Sequence, residues 1–219
     1  MRYLLAIVGT IALCGVVDAQ VLKSANPPAS RGYVEGVAQS AFGQATSQSY
    51  GGELGFTIMD NLQVFVEGGK TRNVAGPALG DSAQAIAGYL NQTQSSTATF
   101  TAKQPVAFGA AGVKYLIQAN IPKLEPYVLG GFGFARISQD VHFFVGGTDV
   151  TSSLDQFRVV LGNDLSGDST KPLLTIGGGV AWPVWERIVV DFQYRYGRIF
   201  NSDESINMSR AGIGLGVRF

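Results

Sequence analysis

From Ala211 to Phe219 the chain alternates without a break between apolar side chains and glycine or arginine. Ala211, Ile213, Leu215, Val217 and Phe219 share one face; Gly212, Gly214, Gly216 and Arg218 share the other. A period of two is that of a β-strand, whose successive side chains point to opposite sides. Two further segments obey it. Tyr50, Gly52, Leu54, Phe56 and Ile58 oppose Gly51, Glu53, Gly55 and Thr57, and Ile188, Val190, Phe192, Tyr194 and Tyr196 oppose Val189, Asp191, Gln193, Arg195 and Gly197. Helical spacing would scatter each apolar set around a cylinder. A chain built from such strands needs an apolar medium on one side of its sheet.

The other end of the chain names a compartment. Arg2 precedes an uncharged, mostly apolar run from Tyr3 to Val17, and Val17-Asp18-Ala19 offers small residues for a signal peptidase. The run falls short of the roughly 18 residues a membrane-spanning helix needs. Residues 1–19 are therefore expected to be a cleaved signal peptide, and residues 20–30, with Pro27-Pro28, a short lead-in. Leu13 before Cys14 argues against a lipid acceptor, and removal of the leader leaves no cysteine for a disulfide. A net charge of zero argues against nucleic acid. The 29 glycines lie inside apolar alternations rather than in a flexible tract. No later stretch reads as a membrane helix, so a membrane-embedded mature chain must be a closed barrel, which alone satisfies every backbone group in lipid.

Residues 31–219 divide into eight strand candidates. Besides the three above they are Tyr33–Gly43, Leu62–Thr71, Val106–Leu116, Leu124–Ile137 and Leu173–Trp182. Leu62, Val64, Val66 and Gly68 oppose Gln63, Phe65, Glu67 and Gly69; Val113 and Tyr115 oppose Lys114; and Leu174, Ile176, Gly178, Val180 and Trp182 face outward. The first and fifth candidates do not declare their faces. Short connections (Met59–Asn61, Ile117–Lys123, Pro183–Arg187) alternate with two long ones, Arg72–Gln104 and Ser138–Lys171. This pattern fits an all-β, eight-stranded antiparallel transmembrane β-barrel with short periplasmic turns and long extracellular loops.

Charge placement agrees. Glu53, Glu67, Lys114, Asp191, Arg195, Arg210 and Arg218 all fall opposite the apolar faces, where a lipid-facing Lys or Arg would cost roughly 2–4 kcal/mol at the midplane. Facing inward, they are expected to form a lumen charge network. Tyr115, Tyr127, Trp182, Trp185 and Tyr196 lie near strand ends and are expected to be interfacial aromatics.

The chain resembles the OmpA-type and opacity-type eight-stranded outer-membrane barrels. Phe192-Gln-Tyr-Arg-Tyr196, Glu125-Pro-Tyr-Val-Leu-Gly-Gly131 and the glycine-alternating end at Phe219 carry the resemblance, over about residues 31–219. It implies a porin-like cell-surface protein of the Gram-negative outer membrane, surrounded by its lipid. It also implies that Ile213, Leu215, Val217 and Phe219 form the signal read by the barrel-assembly machinery. The chain ends at the barrel, so peptidoglycan binding is not carried over.

No chemistry-bearing motif competes with this reading. Gly177-Gly-Gly179 and Gly130-Gly131-Phe-Gly133 match neither a dinucleotide fingerprint nor a P-loop. His142, the single histidine, has Asp140, Asp149, Ser152 and Ser153 near it in sequence, but spacing alone makes no catalytic site. Neither a metal nor a cofactor is implied, and no enzymatic activity. The lumen charges read as a packed plug or as an ion pathway. In the loops, Asp81-Ser-Ala-Gln84 resembles a capped helix start ahead of Ile86, Tyr89 and Leu90. Ser152 and Ser153 precede Leu154, Phe157, Val160 and Leu161, and Val141, Phe143 and Val145 extend the fifth strand. These apolar residues either bind an extracellular partner or lipid, or pack over the barrel mouth. The expected role is structural or surface-interactive (adhesion or recognition) through the long loops. The alternative is a narrow passive channel for small or hydrophobic solutes. A lipid-modifying enzyme and a secreted lipocalin-like barrel stand behind it.

Overall fold

The computed structural model describes residues 31–43, 45–119, 121–162, 165–201 and 205–219. The expected signal peptide and lead-in lie outside them. Eight antiparallel strands close a ring: β1 (Gly32–Gly43), β2 (Ser47–Met59), β3 (Leu62–Thr71), β5 (Val106–Leu116), β6 (Glu125–Val145), β8 (Ser166–Pro183), β9 (Ile188–Ile199) and β10 (Ile206–Arg218). The last strand pairs with the first, Val37 opposite Gly214 and Tyr33 opposite Arg218. Phe219 locks this seam, exchanging two backbone hydrogen bonds of 2.9 Å with Gly32 and meeting the Phe56 ring edge-on. Closure leaves the wall of the ring without a free edge.

The alternation read in the sequence sets the facing. Leu54, Phe56, Val64, Val66, Val113, Ile176, Phe192, Ile213, Leu215 and Val217 are exposed on the outside of the ring. Their neighbours Glu53, Gln63, Phe65, Glu67, Lys114, Thr175, Asp191, Gln193 and Arg195 are buried inside it. The two undeclared strands also resolve. In β1 the odd residues Tyr33, Glu35, Gln39 and Ala41 turn inward and Val34 and Phe42 outward. In β6, Tyr127, Leu129, Ala135 and Ile137 turn inward, while Val128, Phe132 and Phe134 face outward.

Two strands outgrow the wall. β6 has 21 residues and β8 has 18, and they stay paired as far as Asp140 opposite Ser166. Much of the segment expected as the loop Ser138–Lys171 is therefore strand. Beyond the wall, β4 (Ala98–Lys103) adds to β6, with Phe100 opposite Phe143, and β7 (Thr148–Asp149) folds back on the tip of β6. The other long connection carries helix α1 (Pro77–Thr93). It begins at Pro77, with the proline in the first turn and Gly76 as a cap that makes no side-chain hydrogen bond. The start expected at Asp81 is thus corrected: proline's fixed φ and missing N–H suit the first helical position.

Leu79, Ala83, Ala87 and Leu90 lie on one face of α1 and are buried. Leu79, Ala83 and Leu90 join Ala98, Val141, Phe143, Leu154 and Leu165 in an apolar core separate from the barrel's. The two long connections thus build a single lobe at one end of the barrel. Leu154 belongs to a 3-10 helix over Thr151–Phe157, just after the two serines noted in the sequence.

Candidate functional site

Lumen and lobe are the two places where the barrel gathers functional groups. The lumen is layered. Near the short-turn end stand Tyr33, Glu35, Gln63, Lys114, Tyr127, Asp191 and Arg218, which line a recess. Glu53, Glu67, Gln193 and Arg195 occupy the middle. Toward the lobe, Ala41, Val106, Phe108, Ile137, Leu173, Ile199 and Met208 form an apolar layer.

Ion pairs tie opposite walls of the barrel together. Glu53 of β2 accepts from Tyr33, Lys114 and Arg195. Arg195 of β9 also donates Nη1 to Glu67 at 2.8 Å and Nε to Gln193 at 2.6 Å. Arg210 reaches Glu67 at 3.4 Å and lies over the Phe108 ring, 4.1 Å from its centroid. The Lys114 ammonium sits 4.5 Å from the centroids of both Tyr33 and Tyr127, a two-ring cage around a cation already bonded to Glu53. Such a network needs bare backbone opposite its large members. A Cβ at Gly55 would collide with the Tyr33 ring, so only glycine seats that tyrosine.

The structure brings six of the seven expected lumen charges (Glu53, Glu67, Lys114, Asp191, Arg195, Arg210) together inside the barrel. The seventh, Arg218, stands at the mouth, where its Nη1 donates to Glu125 of β6 at 2.9 Å. Of the aromatics, Tyr115, Trp182 and Trp185 are exposed near the short-turn end. Tyr196 faces outward in the other half, donating to Asn207 at 2.8 Å. Tyr127 is a correction. It is 3% exposed and donates to Asp191 at 2.6 Å inside the lumen, because it shares the parity of Leu129 and not that of Val128. Ile213, Leu215, Val217 and Phe219 form the outward face of the terminal strand. Gln63, Thr175 and Gln193 lie on the inward faces that the alternation gives them, whereas Tyr33, Glu35, Gln39 and Ser49 are lumen residues the sequence reading does not name; the register that sets Tyr33 opposite Arg218, Glu35 opposite Glu53 and Gln39 opposite Ser49 is the signal that places them.

In the lobe, His142 is held between two carboxylates, Nε2 at 2.9 Å from Asp140 and Nδ1 at 3.0 Å from Asp149. Hydrogen bonding to Asp149, then to Asp140, raises its pKa above the ordinary histidine value. Asp149 is lowered, first by the Thr151 hydroxyl and backbone N–H. Ser153 of the loop donates to the Val150 carbonyl. The imidazole bridges two carboxylates, an arrangement that clamps β7 onto β6. Among the described residues no group of three or more His, Cys, Asp or Glu side chains is placed to hold a metal ion.

A closed eight-stranded ring with an apolar exterior matches a family model for an outer membrane protein beta-barrel domain over residues 10–219. The chain belongs to that family. Its place is the cell outer membrane, with lipid around the apolar wall. Among solved structures the barrel is similar to neisserial surface protein A, with a TM-score of 0.54 at 16% identity over 86% of this chain and 96% of that one. It is also similar to a major outer membrane protein of Thermus thermophilus, with a TM-score of 0.52 at 12% identity over 87% and 100%. The Ail protein of Yersinia pestis gives 0.46 at 13% identity over 87% and 97%. The first two likenesses are of fold. No curated protein matches the chain in sequence.

Proposed function

We propose that this barrel is a rigid outer-membrane pedestal whose lobe makes contacts at the cell surface. The observation that carries the reading is the lobe's own apolar core, which orders both long connections into one body beyond the lipid-facing wall. Loops held on a rigid scaffold are where binding residues concentrate. The filled lumen supports a pedestal over a channel, because an ion network and an apolar layer stand in series along its axis. Residues 1–19 serve as the export signal, and the outward face of Ile213, Leu215, Val217 and Phe219 serves assembly into the membrane.

Tyr89 on α1 and Val160 after the 3-10 helix are exposed. In a Cys14→Ser background, Tyr89→Cys and Val160→Cys should each react with a membrane-impermeant maleimide on intact cells. Reaction only after lysis puts the lobe on the periplasmic side and overturns the proposal.

A further inference from the structure

The outer surface of the barrel gathers cations on one side, just below the lobe. Lys70 and Arg72 at the top of β3, Lys103 at the end of β4 and Arg136 of β6 are all exposed. Register brings them together. β4 and β5 lie end to end along one edge of β6, with Lys103 opposite Asp140 and Ala107 opposite Arg136. Lys70 pairs with Ala107 from the other side. Lys70 and Arg136 therefore flank Ala107 from two strands apart, about 10 Å. Arg72 shares the face of Lys70, and Lys103 turns outward because its neighbour Ala102 packs against the lobe core.

Few acids offset this group. Asp168 is bonded to Arg136 at 2.6 Å and Asp140 to His142 at 2.9 Å. Arg72 donates to the neutral Gln48 at 2.9 Å. The ammonium groups of Lys70 and Lys103 make no ion pair or hydrogen bond among the described residues. At about 3.3 Å per residue and a tilt of about 40°, Ala107 stands roughly 20 Å above Tyr115 at the short-turn end, and Lys103 roughly 30 Å. The cations thus straddle the upper border of an apolar band about 25 Å tall. Below them the outward face of β5 is Ala107, Gly109 and Ala111. It runs between Val66 of β3 and the rings of Phe132 and Phe134 on β6, which are 70% and 65% exposed. The wall there is a shallow apolar furrow with cations at its upper end.

We infer that this is a docking site for one lipid of the lobe-side leaflet that carries a phosphate monoester in its headgroup. Lys70, Arg72, Lys103 and Arg136 hold the phosphate, and an acyl chain lies along β5. A phosphate monoester brings close to two negative charges and three acceptor oxygens, which converging cations answer better than the single charge of a phosphodiester. Each Lys or Arg near a headgroup plane strengthens the attraction to anionic lipid about fivefold. The small residues of β5 let the chain approach the backbone, and the two phenylalanines stand beside it. The assignment depends on the proposed orientation of the lobe only in making that leaflet the outer one.

Amide spectra of the protein in phosphatidylcholine nanodiscs, titrated with phosphatidic acid, test the site. The shifts should saturate and centre on Lys70, Ala107, Gly109 and Arg136. Phosphatidylglycerol, a phosphodiester, should act only at several-fold higher content. Lys70→Gln with Lys103→Gln should weaken the phosphatidic acid response about twenty-five-fold, at about fivefold per cation. Arg198→Gln, which removes an exposed cation of β9, should leave it unchanged. All three side chains are exposed, so the variants keep the barrel. No saturable response, shifts spread evenly round the wall, or an equal response to phosphatidylglycerol overturns the site. So does a response as weak in Arg198→Gln as in the double variant. Both nanodisc leaflets carry the probe lipid, so the outcome is independent of lobe orientation, which the maleimide labelling reads by itself.

Discussion

Arg195→Met removes the centre of the lumen network while keeping most of the side-chain volume. Arg195 is 2% exposed and donates to Glu53, to Glu67 and to Gln193. Without it Glu53 retains Lys114 and Tyr33, but Glu67 is left with Arg210 alone, at 3.4 Å. Stranding one partner of a buried pair costs about 3–5 kcal/mol. Three hydrogen bonds to or from charged groups, at about 1.5–3 kcal/mol each, would total roughly 4.5–9 kcal/mol if all were lost without compensation. Because Glu53 stays satisfied, the lower figure applies, about 3–5 kcal/mol. Adding Glu67→Gln removes the stranded charge, so the double variant should be more stable than the sum of the singles by about 2 kcal/mol. Urea unfolding in lipid vesicles, followed by the fluorescence of outward-facing Trp182 and Trp185, reads both quantities. A loss under about 1 kcal/mol, the scale of an exposed pair, or strict additivity with Glu67→Gln, would refute the buried network as a stabilising element.

Three further outcomes follow from the layered architecture. Phe143→Ala empties a fully buried site in the lobe core and should cost about 3–5 kcal/mol of lobe stability; hydrogen exchange should quicken in residues 79–90 and 141–154 while barrel unfolding stays put, and a matched loss in the barrel would show one cooperative unit. His142, whose folded pKa is raised, should fasten β7 fully below the free histidine value and release it as pH rises through the raised one, while Asp149, whose pKa is lowered, keeps its contribution until pH falls through the depressed value. Exchange at Phe144 and Thr148 against pH reads this clamp, and a profile unchanged by His142→Gln contradicts it. Ile213→Arg puts a cation on the lipid face of β10 and should cost roughly 2–4 kcal/mol in vesicles; a neutral result would place that face out of the hydrocarbon.

How far the sequence carries the fold depends on how different the two faces of a strand are. β2, β9 and β10 set large apolar residues against glycines and charges, so their parity is legible without partners. In β6 the inward face holds Gly131, Gly133 and Ala135, too small to declare a side, and Tyr127 near its start reads equally as girdle or lumen. Only register decides: Lys114 of β5 stands opposite Leu129, which makes Leu129 and therefore Tyr127 inward. β4 was invisible because Ala98–Lys103 acquires its ladder from a β6 that continues past the wall, a tertiary circumstance. Side-chain capping patterns point to a helix start at Asp81, whereas here proline and glycine make the start at Pro77. The charged half of the lumen site was legible as a set of residues. Its pairing across the barrel was not, since Glu53 and Arg195 lie 142 residues apart.

Conductance of the purified protein in a planar lipid bilayer tests the central claim, a barrel whose lumen is closed and whose business is at the lobe. With insertion verified by protease protection of the wall, the membrane should stay silent across physiological voltages. Stable, discrete current steps would contradict the account and make Glu53, Glu67 and Arg195 the lining of a pore.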